Sequence, residues 1–164
     1  MEALLGELTL TELVGQLHQP ANVDAERDAA LLAAGGIGST LHASGATAGN
    51  VADEGVSRAG VDQVQRVAIG SSRLGIPLLI ARDVIHGHRT VAPIPLGLGA
   101  TFDEELVYDL AARAALEAAA DGIAWTFAPM LDLVDDPRWG RVAESFGESP
   151  LLTARLGAAA VRGF

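Results

Sequence analysis

Three short runs of almost unbroken apolar residues, GIGSTL at Gly36 to Leu41, PLLIA at Pro77 to Ala81 and IAWTFAPM at Ile123 to Met130, alternate with stretches of helical periodicity. Strands covered on both faces read this way, because neither face meets water, and such strands belong to parallel sheets flanked by helices. Parallel neighbours also need a crossover between them, which a helix supplies. The alternation predicts an α/β fold with parallel strands, one domain over residues 1–164.

The helices are marked by their faces and ends. Leu10, Leu13, Val14 and Leu17 share one face of a helix over Thr9 to His18. Thr9 stands three residues before Glu12, the spacing of a capping box. A helix over Ala25 to Ala34 stops at Gly35-Gly36, and one over Val61 to Leu74 stops at Gly75. Asp103 is placed to cap an alanine-rich helix over Glu104 to Ala120, which Gly122 breaks, and Leu151 to Val161 reads as the last helix. His42 to Ser57 reads as a long surface loop, and Pro93 to Gly99 as a second loop. In the latter, LGLG lacks the third glycine and the acid of a phosphate-binding loop, so its glycines are expected to turn the chain before the Asp103-capped helix.

The polar residues are unevenly placed. Asp83, His86, His88 and Arg89 follow the second apolar run, and Asp132, Arg138, Arg141 and Glu144 follow the third. In parallel α/β folds, ligands bind where strands end at their carboxyl side. Asp83 has two readings: an ion pair with Arg89 at the rim of a sheet, or an acceptor for ligand hydroxyls through short charge-assisted hydrogen bonds. His86 and His88, two apart, face the same way on an extended segment. With no cysteine in the chain and no third ligand indicated, a hydrogen-bonded structural histidine is the reading taken, and no metal.

The sixteen residues DDPRWGRVAESFGESP, Asp135 to Pro150, gather four carboxylates, two arginines and a tryptophan around two prolines and two glycines. A solvated loop has no need of the tryptophan, and a core element could not bury the charges. Arg138 and Arg141 lie three apart, so one is expected to brace the loop on a local aspartate while the other reaches the site. Trp139 is read as a packing anchor rather than a platform for a sugar ring.

Charge excludes several partners. The chain has 11 arginines and no lysine against 21 acids, a net charge of −10, and no basic cluster. It is therefore a poor ligand for nucleic acid or an anionic membrane. No apolar stretch has the length of a membrane span, and MEALLGELTLTELVGQ lacks the basic start and apolar run of a signal peptide, so a cytoplasmic location is expected.

Long specific stretches carry a resemblance: LTLTELVGQL, GIGSTL, SRLGIPLLIARDVIHGHRTVAPIPLGLGATFDEELV and GIAWTFAPMLDLVDDPRWGRVAESFGESPLL. In these the chain resembles the N-terminal part of family 3 glycoside hydrolases, the β-glucosidase and β-xylosidase group, whose catalytic domain is similar to a TIM barrel. The resemblance implies a partial (β/α)8 barrel of about three β-α units. It also implies a retaining β-glycosidase acting on terminal non-reducing β-D-glucosyl residues of a β-glucoside or oligosaccharide, without a cofactor. Asp83 would bind sugar hydroxyls in the innermost subsite, Arg89 and Arg141 would contact the same sugar or hold Asp83, and Glu144 would support that network. Ser149 stands where the family commonly has Asp, at what reads as a helix-capping position.

Retaining glycosidases need two carboxyl groups about 5–5.5 Å apart, and a complete barrel takes about 250 residues. In the family the nucleophile is an aspartate on a later strand, the acid/base lies further on, and a Lys-His pair follows the third charged cluster. The expectation is a fragment that carries part of a sugar-binding shell and no catalytic residue, inactive alone, with open strand edges that favour self-association. Asp83 and Asp132 have no support as a substitute pair. The competing readings are a non-catalytic sugar-binding or relic half-barrel, and a metal-dependent hydrolase on His86 and His88. The glycine-rich histidine loop of the family's N-acetylglucosaminidase branch is not seen.

Overall fold

The structure is a computed structural model that describes residues 2–41 and 58–164; the loop expected at His42 to Ser57 lies outside them. The chain divides into two compact units. The described part of the first holds residues 2–41, 58–82 and 121–125, and that of the second 83–120 and 126–164.

In the first unit, helices α1 (Glu2–Glu7), α2 (Leu10–Gln16), α3 (Ala29–Ala33) and α4 (Arg58–Ser71) accompany strands β1 (Ser39–Leu41) and β2 (Leu79–Arg82). β1 and β2 pair in parallel with Ser39 opposite Leu79 and Leu41 opposite Ala81. β3 (Trp125–Thr126) completes an open sheet of order β1-β2-β3, where the Ala124 N–H donates to the Ile80 carbonyl at 2.9 Å. Thr40, Ile80 and Ala81 are fully buried, as strands with two covered faces require.

Two details of this unit decide how it is held. The capping box forms: the Thr9 N–H and hydroxyl each donate to Glu12 at 2.8 Å, and the Glu12 N–H donates back to the Thr9 hydroxyl at 3.3 Å. Arg73 adds Nε and Nη2 to the same carboxylate at 3.1 and 2.6 Å. Arg73, with Thr9 behind it, holds the Glu12 carboxyl at about 2. The apolar face of α2, by contrast, is not the packed one. Leu10, Leu13, Val14 and Leu17 are all exposed, while Glu12 and Gly15 are buried. The second detail is Gln65 on α4, whose amide serves both backbone groups of Leu78: Nε2 donates to its carbonyl at 2.7 Å and Oε1 accepts its N–H at 3.0 Å.

The second unit is built on α5 (Pro95–Gly99), α6 (Glu104–Ala120) and α7 (Pro150–Gly163), with a 3-10 turn at Val142–Glu144. α6 begins where its cap predicts, since Asp103 Oδ1 accepts the Leu106 N–H at 3.0 Å. Ser149 caps α7 by accepting the Leu152 N–H. The two helices pack face to face, burying Val107 and Ala111 against Leu156, Ala159 and Ala160, with Leu98 and Phe146 closing the cluster. Full burial of a side chain such as Leu156 contributes about 1.5–3 kcal/mol.

Two expectations are corrected here. Pro93 to Gly99 is not all loop, because Pro95 opens the helix α5 at a position where its missing N–H costs nothing. Gly99 serves close packing rather than a turn: a Cβ there would lie 2.0 Å from the Phe146 carbonyl oxygen. The third strand is two residues long rather than eight. Among the described residues no helix is long and apolar enough to cross a membrane.

Candidate active site

Asp83, His86, His88, Arg89, Asp132, Arg138, Arg141 and Glu144 all belong to the second unit. Asp83 is the residue after β2 and is half-buried; Val84 beside it is buried and roots the turn. The chain then makes a tight loop. The Ala92 N–H donates to the His86 carbonyl at 2.8 Å, and His86 Nδ1 lies 2.8 Å from the Ala92 carbonyl oxygen, so that nitrogen carries the proton. His86 is thus a structural group that closes the loop, and His88 is buried. No cluster of three His, Asp or Glu side chains suited to a metal occurs among the described residues.

Arg89 and Thr90 form the exposed tip of this loop. Glu117, in the last turn of α6, holds them: Oε2 accepts the N–H groups of Arg89 and Thr90 at 2.9 and 2.8 Å, and Oε1 accepts the Thr90 hydroxyl at 2.6 Å. Burial pushes the Glu117 carboxyl up, yet these hydrogen bonds outweigh it and leave the group below its ordinary value. Nothing in the spacing of the loop residues points to Glu117. The one available signal is its position, since a carboxylate in a last helical turn opposes the helix dipole and calls for a reason to be there.

In the segment after β3, both arginines take local partners. Arg138 Nε binds the two carboxylate oxygens of Asp136 at 3.0 and 3.1 Å, bracing the turn as expected of one arginine. Arg141 makes a two-pronged contact with Glu144, Nε to Oε1 at 3.1 Å and Nη2 to Oε2 at 2.7 Å. Its charged form is favoured first by Glu144 and then, more weakly, by the charges of Asp132 and Asp83. Arg141 is therefore a cation that feels both clusters, Asp83 after β2 and Asp132 after β3.

Trp139 is not the anchor of this segment, for more than a third of it is exposed. The anchors are Phe146 and Ser145, both buried. The Ser145 hydroxyl donates to the Asp132 carbonyl at 2.7 Å and accepts the Gly147 N–H at 3.1 Å, tying the two ends of the segment together. A large aromatic ring draws notice in a sequence as a packing group, whereas a serine gives no sign of being buried.

An α/β chain with an open parallel sheet and charged loops after its second and third strands is the start of a barrel of the TIM type. Residues 9–164 match the N-terminal domain model of glycosyl hydrolase family 3, and the chain belongs to that family. A periplasmic β-glucosidase of Salmonella typhimurium is 47% identical over 107 residues, covering 65% of this chain and 14% of that protein. A lysosomal β-glucosidase of Dictyostelium discoideum is 32% identical over 183 residues, covering all of this chain and 22% of its own length. The crystal structure of a β-glucosidase from Listeria innocua in complex with glucose superposes with a TM-score of 0.83 at 40% identity, over 99% of this chain and 23% of that one. The chain thus spans less than a quarter of each of these relatives.

Proposed function

We propose that these residues form part of the sugar-binding shell of a retaining β-glycosidase of the β-glucosidase type, which hydrolyses terminal non-reducing β-D-glucosyl residues. Asp83 accepts hydrogen bonds from the sugar hydroxyls, Arg89 and Arg141 contact the same ring or hold Asp83, and Glu144 orients Arg141. The observation that carries this reading is Arg141, paired with Glu144 and within electrostatic reach of both Asp83 and Asp132. A sugar hydroxyl both donates and accepts, and a carboxylate beside a guanidinium offers it one of each. Hydrogen bonds of this kind that tighten in an oxocarbenium-like transition state supply several kcal/mol. Names of relatives and the glucose complex support a glucoside as the ligand.

The nucleophile and the general acid/base are assigned to residues outside this sequence. The test is hydrolysis of an aryl β-glucoside by the purified 164-residue protein beside its Asp83→Ala variant. Turnover no higher than the variant's is expected. Turnover that Asp83→Ala abolishes would place a working carboxylate pair within these residues, and the assignment of the chemistry elsewhere would fail.

A further inference from the structure

We propose that Glu117 is a positioning residue for sugar binding, one that fixes Arg89 by gripping the backbone of the loop that carries it. The inference rests on the sugar-binding role proposed for Arg89. Its basis is the way the loop His86 to Ala92 is held. Its base is closed twice between His86 and Ala92. Inside it, Gly87 has a φ of +119°, and a Cβ there would lie 2.0 Å from the Thr90 carbonyl oxygen, so the chain folds tightly on itself. At the tip, one carboxylate takes three donors from two consecutive residues, and two of those donors are backbone N–H groups. Backbone donors fix the path of the chain rather than a rotamer. Arg89 is the loop's only guanidinium, and it is exposed.

A guanidinium on a mobile loop loses affinity to the ordering of that loop on binding, and a loop already ordered avoids the loss. Glu117 suits this task because its acceptor is charged at neutral pH while its partners in the loop are neutral amides and a hydroxyl. Its place in the last turn of α6, against the dipole, is the local cost of that arrangement.

The experiment is a titration of the protein with glucose, read by calorimetry or by amide chemical shifts. It compares Asp83→Ala, Arg89→Ala, Glu117→Ala and the double variant Glu117→Ala/Arg89→Ala, with a melting curve for each. Glu117→Ala is expected to weaken glucose binding about three- to tenfold, the worth of about one net hydrogen bond. In the Arg89→Ala background it should weaken it no further, although the melting temperature falls equally in both backgrounds. A purely structural Glu117 would instead weaken binding by the same factor in both. Thr90→Val, which removes one donor of the three, should act in the same direction by a smaller factor and serves if Glu117→Ala does not fold.

If Asp83→Ala and Arg89→Ala weaken binding while Glu117→Ala and Thr90→Val do not, the positioning role is overturned and the sugar shell stands. Glucose affinity indifferent to Asp83→Ala and Arg89→Ala, or no binding by the unsubstituted protein, overturns the shell and this inference with it.

Discussion

In the loop His86 to Ala92 the restraint comes from elsewhere in the chain, from a carboxylate 27 and 28 residues beyond the amides it holds. In residues 132–147 it comes from within, from ion pairs closed over two and three residues and a serine tied to both ends. The difference lies in what the charges do. Exposed ion pairs contribute about 0–1 kcal/mol, so Asp136–Arg138 and Glu144–Arg141 are weak as struts. The strut in that segment is the buried hydroxyl of Ser145, which leaves the charges available to a ligand. In the first loop the roles are exchanged: the carboxylate is the strut, and it holds the backbone of the exposed Arg89.

The contrast can be broken hardest at Gly87. Gly87→Ala puts a Cβ into the Thr90 carbonyl at a left-handed φ, which should cost at least about 2 kcal/mol in a denaturant titration and strip protection from the Arg89 and Thr90 amides. An unchanged midpoint would mean the loop is held less tightly than its hydrogen bonds imply. Next comes Ser145→Ala, which removes two part-buried hydrogen bonds, to the Asp132 carbonyl and from the Gly147 N–H, and should cost about 1–3 kcal/mol at about 0.5–1.5 kcal/mol each. Arg138→Ala in the same segment should stay within about 0.5 kcal/mol. Equal losses from the two would show that the charges, after all, carry the segment.

The smallest effect sharpens the contrast by salt. At about 1 M ionic strength screening acts over about 3 Å. The carboxyls of Asp136 and Glu144, lowered chiefly by Arg138 and Arg141, should rise toward the ordinary range in an NMR titration. Glu117, lowered against its burial chiefly by neutral donors and least by the charge of Arg113, should move less. Each of these groups is lower in the folded protein than in the unfolded chain. Each therefore adds stability above the ordinary carboxylate range that is lost as pH falls through its folded value. Salt should shrink that acid-sensitive part more for Asp136 and Glu144 than for Glu117, where Arg113 is the smallest of the lowering causes.

What could be read from the chain beforehand was what is local. Asp103 before Glu104–Ala120, Thr9 with Glu12, and Ser149 before α7 are satisfied within a turn of helix, and all three caps are found. Strand lengths were not legible, because an apolar run marks burial, while a strand also needs a partner for its backbone. Pro129 has no N–H to offer, and the run Ile123 to Met130 yields only Trp125–Thr126. Periodicity found α2 but not its packed side: Glu12 goes inward because Arg73, 61 residues away, meets it there. The same limit applies to the site. Asp83, Arg89, Arg141 and Glu144 stand out as charges after strands, but Glu117 and Ser145 act through partners distant in sequence or through backbone groups, so that Glu117 leaves only its place against the helix dipole as a sign and Ser145 leaves none.

Gln65 has a consequence for where Asp83 stands. Its amide fits one backbone N–H and one carbonyl at Leu78, so it works as a ruler laid from α4 along the path of β2. If β2 slid by one residue, the amide would face the wrong groups, and the buried Ile80 would trade sides with the exposed Leu79. The same slide would draw the chain along by about 3.3 Å, and Asp83, next after the strand, would travel with it. A neutral side chain that touches no ligand thereby sets the phase of the strand whose end delivers the carboxylate.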